Sequence, residues 1–90
     1  MDLEKAIFNW LQIAVVHEAR PDDPAAKETE EFFREILTKD YQIEKITYER
    51  GPFNYIVTFE KEGKEEKKPF ASSTIEKLIE DIENEPKFRI

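Results

Sequence analysis

Residues 53–60 read Phe-Asn-Tyr-Ile-Val-Thr-Phe-Glu, and this stretch decides the fold. Every second position holds an aromatic or branched apolar side chain: Phe53, Tyr55, Val57 and Phe59. A period of two predicts a β-strand that buries one face. The aromatic and β-branched content favours a central strand.

A second strand is predicted ahead of this one, at residues 44–50. Ile46 continues an alternation there, but Ile43 is out of phase with it. The mismatch predicts a β-bulge or the start of the strand near Glu44, because an extra residue moves the alternation by one position. The Gly-Pro pair at 51–52 marks the turn between the two strands.

A third strand is predicted at residues 64–70, after a tight turn at 61–63. Gly63 is expected in the left-handed conformation that such turns require. The third strand is highly charged, holds Pro69 and has almost no apolar residue before Phe70. These features are typical of an edge strand, and the short connections predict an antiparallel meander.

The first of two helices ahead of the strands is predicted at residues 2–19, with Asp2 as N-cap. Its apolar residues cover more than half of the helix circumference: Leu3, Ile7, Phe8, Trp10, Leu11, Ile13, Ala14 and Val15. A helix with one buried face has a narrower stripe. We therefore expect this helix to lie between two layers or at a subunit interface.

The second helix is predicted at residues 24–39, where Asp23 is the expected N-cap and Pro24 the first helical residue. The inward stripe is predicted to be Ala25, Thr29, Phe32 and Ile36, flanked by Ala26, Phe33 and Leu37. The outward face is predicted to carry Glu28, Glu30, Glu31 and Glu35.

A last helix is predicted at residues 73–84. Ser73 and Glu76 have the spacing of a capping box, and Ile75, Leu78, Ile79 and Ile82 follow at helical spacing. The order α-α-β-β-β-α over residues 1–90 predicts a single two-layer α+β domain. Its three-stranded antiparallel meander would carry the helices on one face.

The composition excludes several classes of protein. The chain has 90 residues and no Cys, which argues against a two-domain enzyme, a disulfide scaffold, a thiolate metal site and a cysteine nucleophile. No apolar run approaches the length of a membrane span, and the start is acidic where a secretory signal is basic. We therefore expect a soluble, cytoplasmic protein with no membrane partner.

The charge argues against nucleic acid as a partner. Of the net charge of -7, residues 21–40 contribute -4 from seven acids and three bases, and residues 61–70 contribute +1 from four bases and three acids. Residues 24–84 have the element order of a double-stranded RNA-binding domain. Such domains place lysines at the start of the last helix, whereas residues 72–81 are acidic overall here.

His17 is the sole histidine and the first candidate for chemistry. A general base or metal ligand at His17, with Asp22 or Asp23 nearby, would make a small enzyme or ligand-binding domain. The alternative is a helix-end histidine that packs on Trp10. The two Asp residues are better explained as turn and cap residues, because the spacing of a Ca²⁺ loop is absent.

The sequence therefore predicts a small non-catalytic interaction or regulatory protein with no catalytic residue, cofactor or metal site. The predicted interaction surface is Glu28, Glu31 and Glu35 on the second helix, together with Trp10. The partner would be another protein or a second copy bound through the first helix, since the wide apolar arc could need a homodimer to cover it. A monomer in which this helix is the central core helix stays open as the alternative.

Overall fold

A computed structural model describes residues 2–77 of the chain. Two helices come first, then three antiparallel strands, then a final helix, which confirms the α+β class and the meander. The elements are α1 Leu3–Ala19, α2 Pro24–Tyr41, β1 Ile43–Arg50, β2 Asn54–Lys61, β3 Lys64–Ala71 and α3, which is helical over 72–77. The predicted helical residues 78–84 lie outside the described part of the chain.

The sheet has β2 at its centre, paired antiparallel with β1 and with β3. The predicted bulge is confirmed, because Glu44 pairs with Glu60 whereas Thr47 already pairs with Thr58. Residues 45–46 therefore share one position of β2. This extra residue restores the phase of β1, so that its apolar side chains on both sides of the bulge join the core.

The turn between β2 and β3 has two residues, since Lys61 pairs with Lys64. Glu62 has φ 55° and Gly63 has φ 78°, so both central residues are left-handed. This is the geometry of a type I′ turn, whose twist matches that of the flanking strands. The predicted role of Gly63 and the edge position of β3 are both confirmed.

The two ends of helix α2 are set by residues next to them in the sequence. The Asp23 carboxylate accepts from the backbone N–H groups of Ala25 at 3.0 Å and Ala26 at 3.3 Å, and Pro24 is the first helical residue. This confirms the predicted cap. At the other end Gln42 is left-handed with φ 55°, which terminates the helix two residues later than predicted.

Helix α1 is buried along most of its length. It packs against α2, and its side chains share one core with those of β2. The buried residues of α1 are Ala6, Ile7, Trp10, Leu11, Ala14, Val15 and Val16. Helix α1 therefore contacts both α2 and the sheet within one copy of the chain. Ile13 of the predicted apolar arc is half-buried and lies outside the core cluster.

Helix α2 is rotated relative to the prediction. Ala26, Glu30 and Leu37 are its buried residues, whereas Phe32 is 55% exposed. The predicted inward stripe is wrong by one residue, or about 100° around the helix axis. The inward position of Glu30 also corrects the prediction that it lies outside. Its burial is tolerated because two donors satisfy its carboxylate, as described below.

The start of α3 also differs from the prediction. The helix already includes Ser72, whose N–H and hydroxyl both donate to the carbonyl of Phe53. The Glu76 carboxylate accepts from Arg50 and Tyr55, so the predicted capping box is replaced by contacts to the sheet. Within residues 2–77, no helix combines the length and apolar character that crossing a bilayer requires.

Candidate functional site

A cleft of about 940 Å³ opens between the C-terminal half of α1, helix α2 and strand β1. Its apolar walls are Ala14 and Val15 of α1 and Ile46 of β1. Ile46 reaches the cleft because of the bulge that precedes Thr47. The volume falls within the range of small-molecule sites, about 300–1,000 Å³.

Three aromatic rings form a row along the cleft. The rings of Trp10 and Tyr48 meet edge to face, with centroids 6.0 Å apart, and Tyr48 and Tyr55 are tilted at 5.9 Å. These separations and angles are favourable for aromatic pairs. Trp10 and Tyr55 are each only 3% exposed, whereas Tyr48 is partly buried. The row is therefore mainly part of the core, with Tyr48 nearest to solvent.

Each ring of the row donates its polar hydrogen to a glutamate. The pairs are Trp10 Nε1 to Glu30 at 2.8 Å, Tyr48 Oη to Glu18, and Tyr55 Oη to Glu76 at 2.7 Å. The partners are 20, 30 and 21 residues apart in sequence, so the contacts join α1 to α2, β1 to α1 and β2 to α3. Buried N–H and O–H groups need such acceptors, because leaving them unpaired is costly.

Glu30 is the most buried of the three acids, at 3% exposure. Its Oε2 atom accepts from Trp10 and also from Arg34, whose Nε lies at 2.9 Å and Nη2 at 2.6 Å. The Arg34 side chain is 56% exposed, so it joins a buried carboxylate to solvent. The pair is neutral overall, which lowers the penalty of burying the charge.

Glu76 repeats this arrangement at the other end of the row. Arg50 donates to it from Nε at 2.8 Å and from Nη2 at 3.2 Å, and Tyr55 donates as well. The hydrogen bonds from Arg50 and then Tyr55 hold the pKa of Glu76 below its ordinary value. Burial, followed by the hydrogen bond to Glu76, raises the pKa of Tyr55.

Glu18 differs from the other two acids because its partner is neutral. Burial raises the pKa of Tyr48, and the adjacent Glu18 carboxylate raises that pKa further. Among residues 2–77, Glu18 takes part in no ion pair. The cleft therefore holds three carboxylates and two guanidinium groups, a formal charge of -1 with neutral histidine.

His17 lines the cleft, and its Nδ1 atom is buried with no hydrogen-bond partner within the described residues. Asp22 and Asp23 are not part of the lining, and the Asp23 carboxylate caps α2. The structure thus does not assemble the predicted alternative site of His17 with Asp22 or Asp23. Within residues 2–77, no group of three or more His, Asp or Glu side chains is placed to hold a metal ion.

The predicted acidic surface lies on the outer side of α2. Glu28, Glu31 and Glu35 are all exposed, and Glu35 forms an ion pair with Lys39 at 2.5 Å. The hydrogen bond from Lys39 lowers the pKa of Glu35. Trp10 was predicted to share this surface, and that prediction is wrong: its ring is 3% exposed and fixed by Glu30 in the core.

Phe32 is the residue that sequence reasoning missed on this surface. It is 55% exposed, with its ring tilted against Phe33 at 5.7 Å, and it borders a groove of about 240 Å³ that also contacts Ile36. The available signal was the pair of adjacent phenylalanines, since residues one apart on a helix point about 100° from each other and cannot both face the core. We call Glu28, Glu31, Phe32, Glu35 and Ile36 the α2 face.

No protein-family model matches the chain, and neither the curated proteins nor the solved structures contain a match to it.

Proposed function

We propose that this chain is a non-catalytic protein-interaction module that binds a basic partner segment through the α2 face. The observation that carries the proposal is the exposure of Phe32, 55%, among the carboxylates of Glu28, Glu31 and Glu35. An aromatic side chain at the centre of a polar rim is the usual composition of a binding hot spot.

The chemistry of the α2 face defines the partner. Burial of the exposed part of Phe32 would supply hydrophobic free energy, at about 25 cal/mol per Å² of apolar area. The surrounding carboxylates attract lysine and arginine and exclude acidic segments by repulsion. The matching partner is a short segment with one or two apolar side chains flanked by basic residues.

The positions of His17, Asp22 and Asp23 support the non-catalytic part of the proposal. Asp23 accepts two backbone hydrogen bonds as the cap of α2, and Asp22 does not reach the cleft that His17 lines. A general base needs a positioned partner or substrate within hydrogen-bond reach. Peptide binding by the α2 face requires no general base.

The test is a selection from a random peptide library displayed on phage with the wild-type chain as bait, followed by measurement of the affinity of the selected peptides for a Phe32→Ala variant. We expect the selected peptides to combine Lys or Arg with apolar anchors. Phe32→Ala should weaken their affinity about tenfold or more, the effect of losing one hot-spot side chain. Charge reversal by Glu28→Lys with Glu31→Lys should weaken it further, and added salt should do the same.

Phe53 provides the matched control, because it is 85% exposed in the turn between β1 and β2. Phe53→Ala should leave peptide affinity unchanged. Peptides that bind Phe32→Ala as tightly as the wild type, or that are acidic, would contradict the proposal. Sedimentation should give a mass near 10.7 kDa. If the wild type had twice this mass and Phe32→Ala had the mass of a monomer, the α2 face would bind a second copy of the chain instead.

A further inference from the structure

The cleft holds one charge that the rest of its lining does not balance. Arg34 pairs with Glu30 and Arg50 pairs with Glu76, while Glu18 receives only the neutral hydroxyl of Tyr48. We propose that the cleft binds a small organic cation with an apolar body, and that Glu18 is the residue that pairs with its charge. This site is separate from the α2 face.

Glu18 is suited to this role by its position and its free acceptors. It lies in the last turn of α1 at the rim of the cleft, and it is exposed, so a ligand can reach it. A carboxylate can accept about four hydrogen bonds, and Tyr48 uses one of them. The remaining lone pairs can receive the N–H groups of an ammonium ion in a charge-assisted hydrogen bond.

The walls of the cleft explain why the ligand should carry an apolar body. Ala14, Val15 and Ile46 give an aliphatic surface beside the partly buried ring of Tyr48. Apolar walls with a few converging polar groups are typical of small-molecule sites.

An anionic ligand is disfavoured by the way the two arginines are held. Arg50 donates two hydrogen bonds to Glu76, whereas Arg34 donates one to Glu30 and forms an ion pair with it at 2.6 Å. Each pair is therefore neutral. An anion in the cleft would face the unbalanced Glu18 and a chain with a net charge of -7. A cation meets attraction from both.

Trp10 provides a spectroscopic probe of ligand binding in the cleft. It is the sole tryptophan, so its indole N–H gives a single resonance in a ¹H–¹⁵N spectrum, and it borders the cleft. Two probes share a phenyl ring on a short chain and differ in charge: phenethylamine is a cation at neutral pH, and 3-phenylpropionate is an anion. We expect phenethylamine to shift the indole resonance saturably, with an affinity about tenfold higher than that of 3-phenylpropionate.

Two variants with the same change in charge locate the binding. Glu18→Gln keeps an acceptor for Tyr48 but removes the charge, and should weaken phenethylamine binding about fivefold, as expected for one partly exposed ion pair. Glu65→Gln makes the same change on the exposed edge strand β3, outside both the cleft and the α2 face, and should change the affinity less than twofold, about the scale of a screened long-range charge.

Three results would overturn the proposal. The first is the absence of a saturable shift up to about 10 mM phenethylamine, well above the millimolar range of weak specific binding. The second is an equal response to 3-phenylpropionate. The third is an equal loss of affinity in Glu18→Gln and Glu65→Gln, which would indicate general attraction to an acidic chain. None of these results bears on peptide binding by the α2 face, so the two proposals fail separately.

Discussion

Glu30 and Phe32 are two residues apart on α2, and their environments are the reverse of what their chemistry suggests. The glutamate is 3% exposed and the phenylalanine is 55% exposed. Glu30 is buried because Trp10 and Arg34 donate to its carboxylate. Phe32 is exposed because the adjacent Phe33 takes the position against the core. Hydrogen-bond partners thus decide which face of α2 is turned inward.

The same difference separates the two surfaces. In the cleft, every ring of the aromatic row has its polar hydrogen bound to a carboxylate, so the rings are held in place. On the α2 face, Phe32 has no polar group and leaves apolar area in contact with water. Buried aromatic residues whose N–H or O–H group has an acceptor stabilise the fold, whereas exposed aromatic residues can contribute to binding. The predictions below separate these two roles.

Replacement of Glu30 by alanine should have the largest effect on stability. It leaves the buried indole N–H of Trp10 without its acceptor and removes the partner of Arg34. We expect the free energy of unfolding to fall by about 3 kcal/mol, within the range for breaking a buried hydrogen-bonded charge pair. Urea unfolding followed by circular dichroism measures it.

The control for this prediction is Glu28→Ala, the same substitution at an exposed position of the same helix. It should change the free energy of unfolding by no more than about 0.5 kcal/mol. Equal losses in the two variants would show that the burial of Glu30 contributes nothing, and the comparison with Phe32 would lose its basis.

Trp10→Phe should have the second largest effect. It removes the indole N–H that reaches Glu30 and leaves a smaller ring in the core. We expect a loss of about 2 kcal/mol, which combines a lost charge-assisted hydrogen bond with lost burial. A double-mutant cycle with Glu30→Gln should give a coupling energy of about 1 kcal/mol. Additive losses would mean that the hydrogen bond does not stabilise the fold.

The parts of the fold that were predicted from sequence are those set by local chemistry. The cap at Asp23, the left-handed Gly63 and the bulge after Glu44 each follow from a few neighbouring residues. The alternation in residues 53–60 identified the central strand, and Tyr55, Val57 and Phe59 are buried as its period of two predicts. The start of the strand was predicted one residue too early, because Phe53 precedes β2 and is 85% exposed.

The rotation of α2 and the content of the cleft depend on distant partners and could not be predicted in this way. Glu30 looks like a surface residue until Trp10, 20 residues earlier, is placed beside it. Glu76 looks like a capping residue until Arg50, 26 residues away, reaches it across the sheet. Hydrophobic patterning assigns charged residues to the outside, and it fails where tertiary contacts satisfy the charge.

Phe32→Ala tests the exposed residue in the comparison of Glu30 with Phe32. Because more than half of the side chain is already exposed, its removal should cost only about 1 kcal/mol, against about 3–5 kcal/mol for a phenylalanine inside a core. Phe33→Ala, the neighbouring substitution on the core side, should cost more. If Phe32→Ala destabilised the fold more than Phe33→Ala, Phe32 would be a core residue and the α2 face would lose its anchor.

Glu76→Gln should have the smallest effect on the free energy of unfolding. It isolates the effect of burial, because Glu76 has the same kinds of partner as Glu30. In each case an aromatic donor and an arginine meet one carboxylate, but the Glu76 side chain is 37% exposed and that of Glu30 is 5% exposed. We expect a loss of only about 0.5 kcal/mol at pH 7, since solvent screens the pair. Urea unfolding of both chains between pH 7 and pH 3 measures it.

The pH dependence follows from the lowered pKa of Glu76, whose ordinary value is 4.5. A carboxyl that holds its proton less tightly in the folded chain stabilises the fold above its unfolded pKa, and this contribution is lost as the pH falls through the folded pKa. The difference between wild type and Glu76→Gln should therefore be full at pH 7 and shrink below about pH 4.5. A difference that stays constant to pH 3 would show that the glutamate acts by shape alone. In that case the charge of Glu76 would not stabilise the fold, and the comparison of its exposed ion pair with the buried pair of Glu30 would fail.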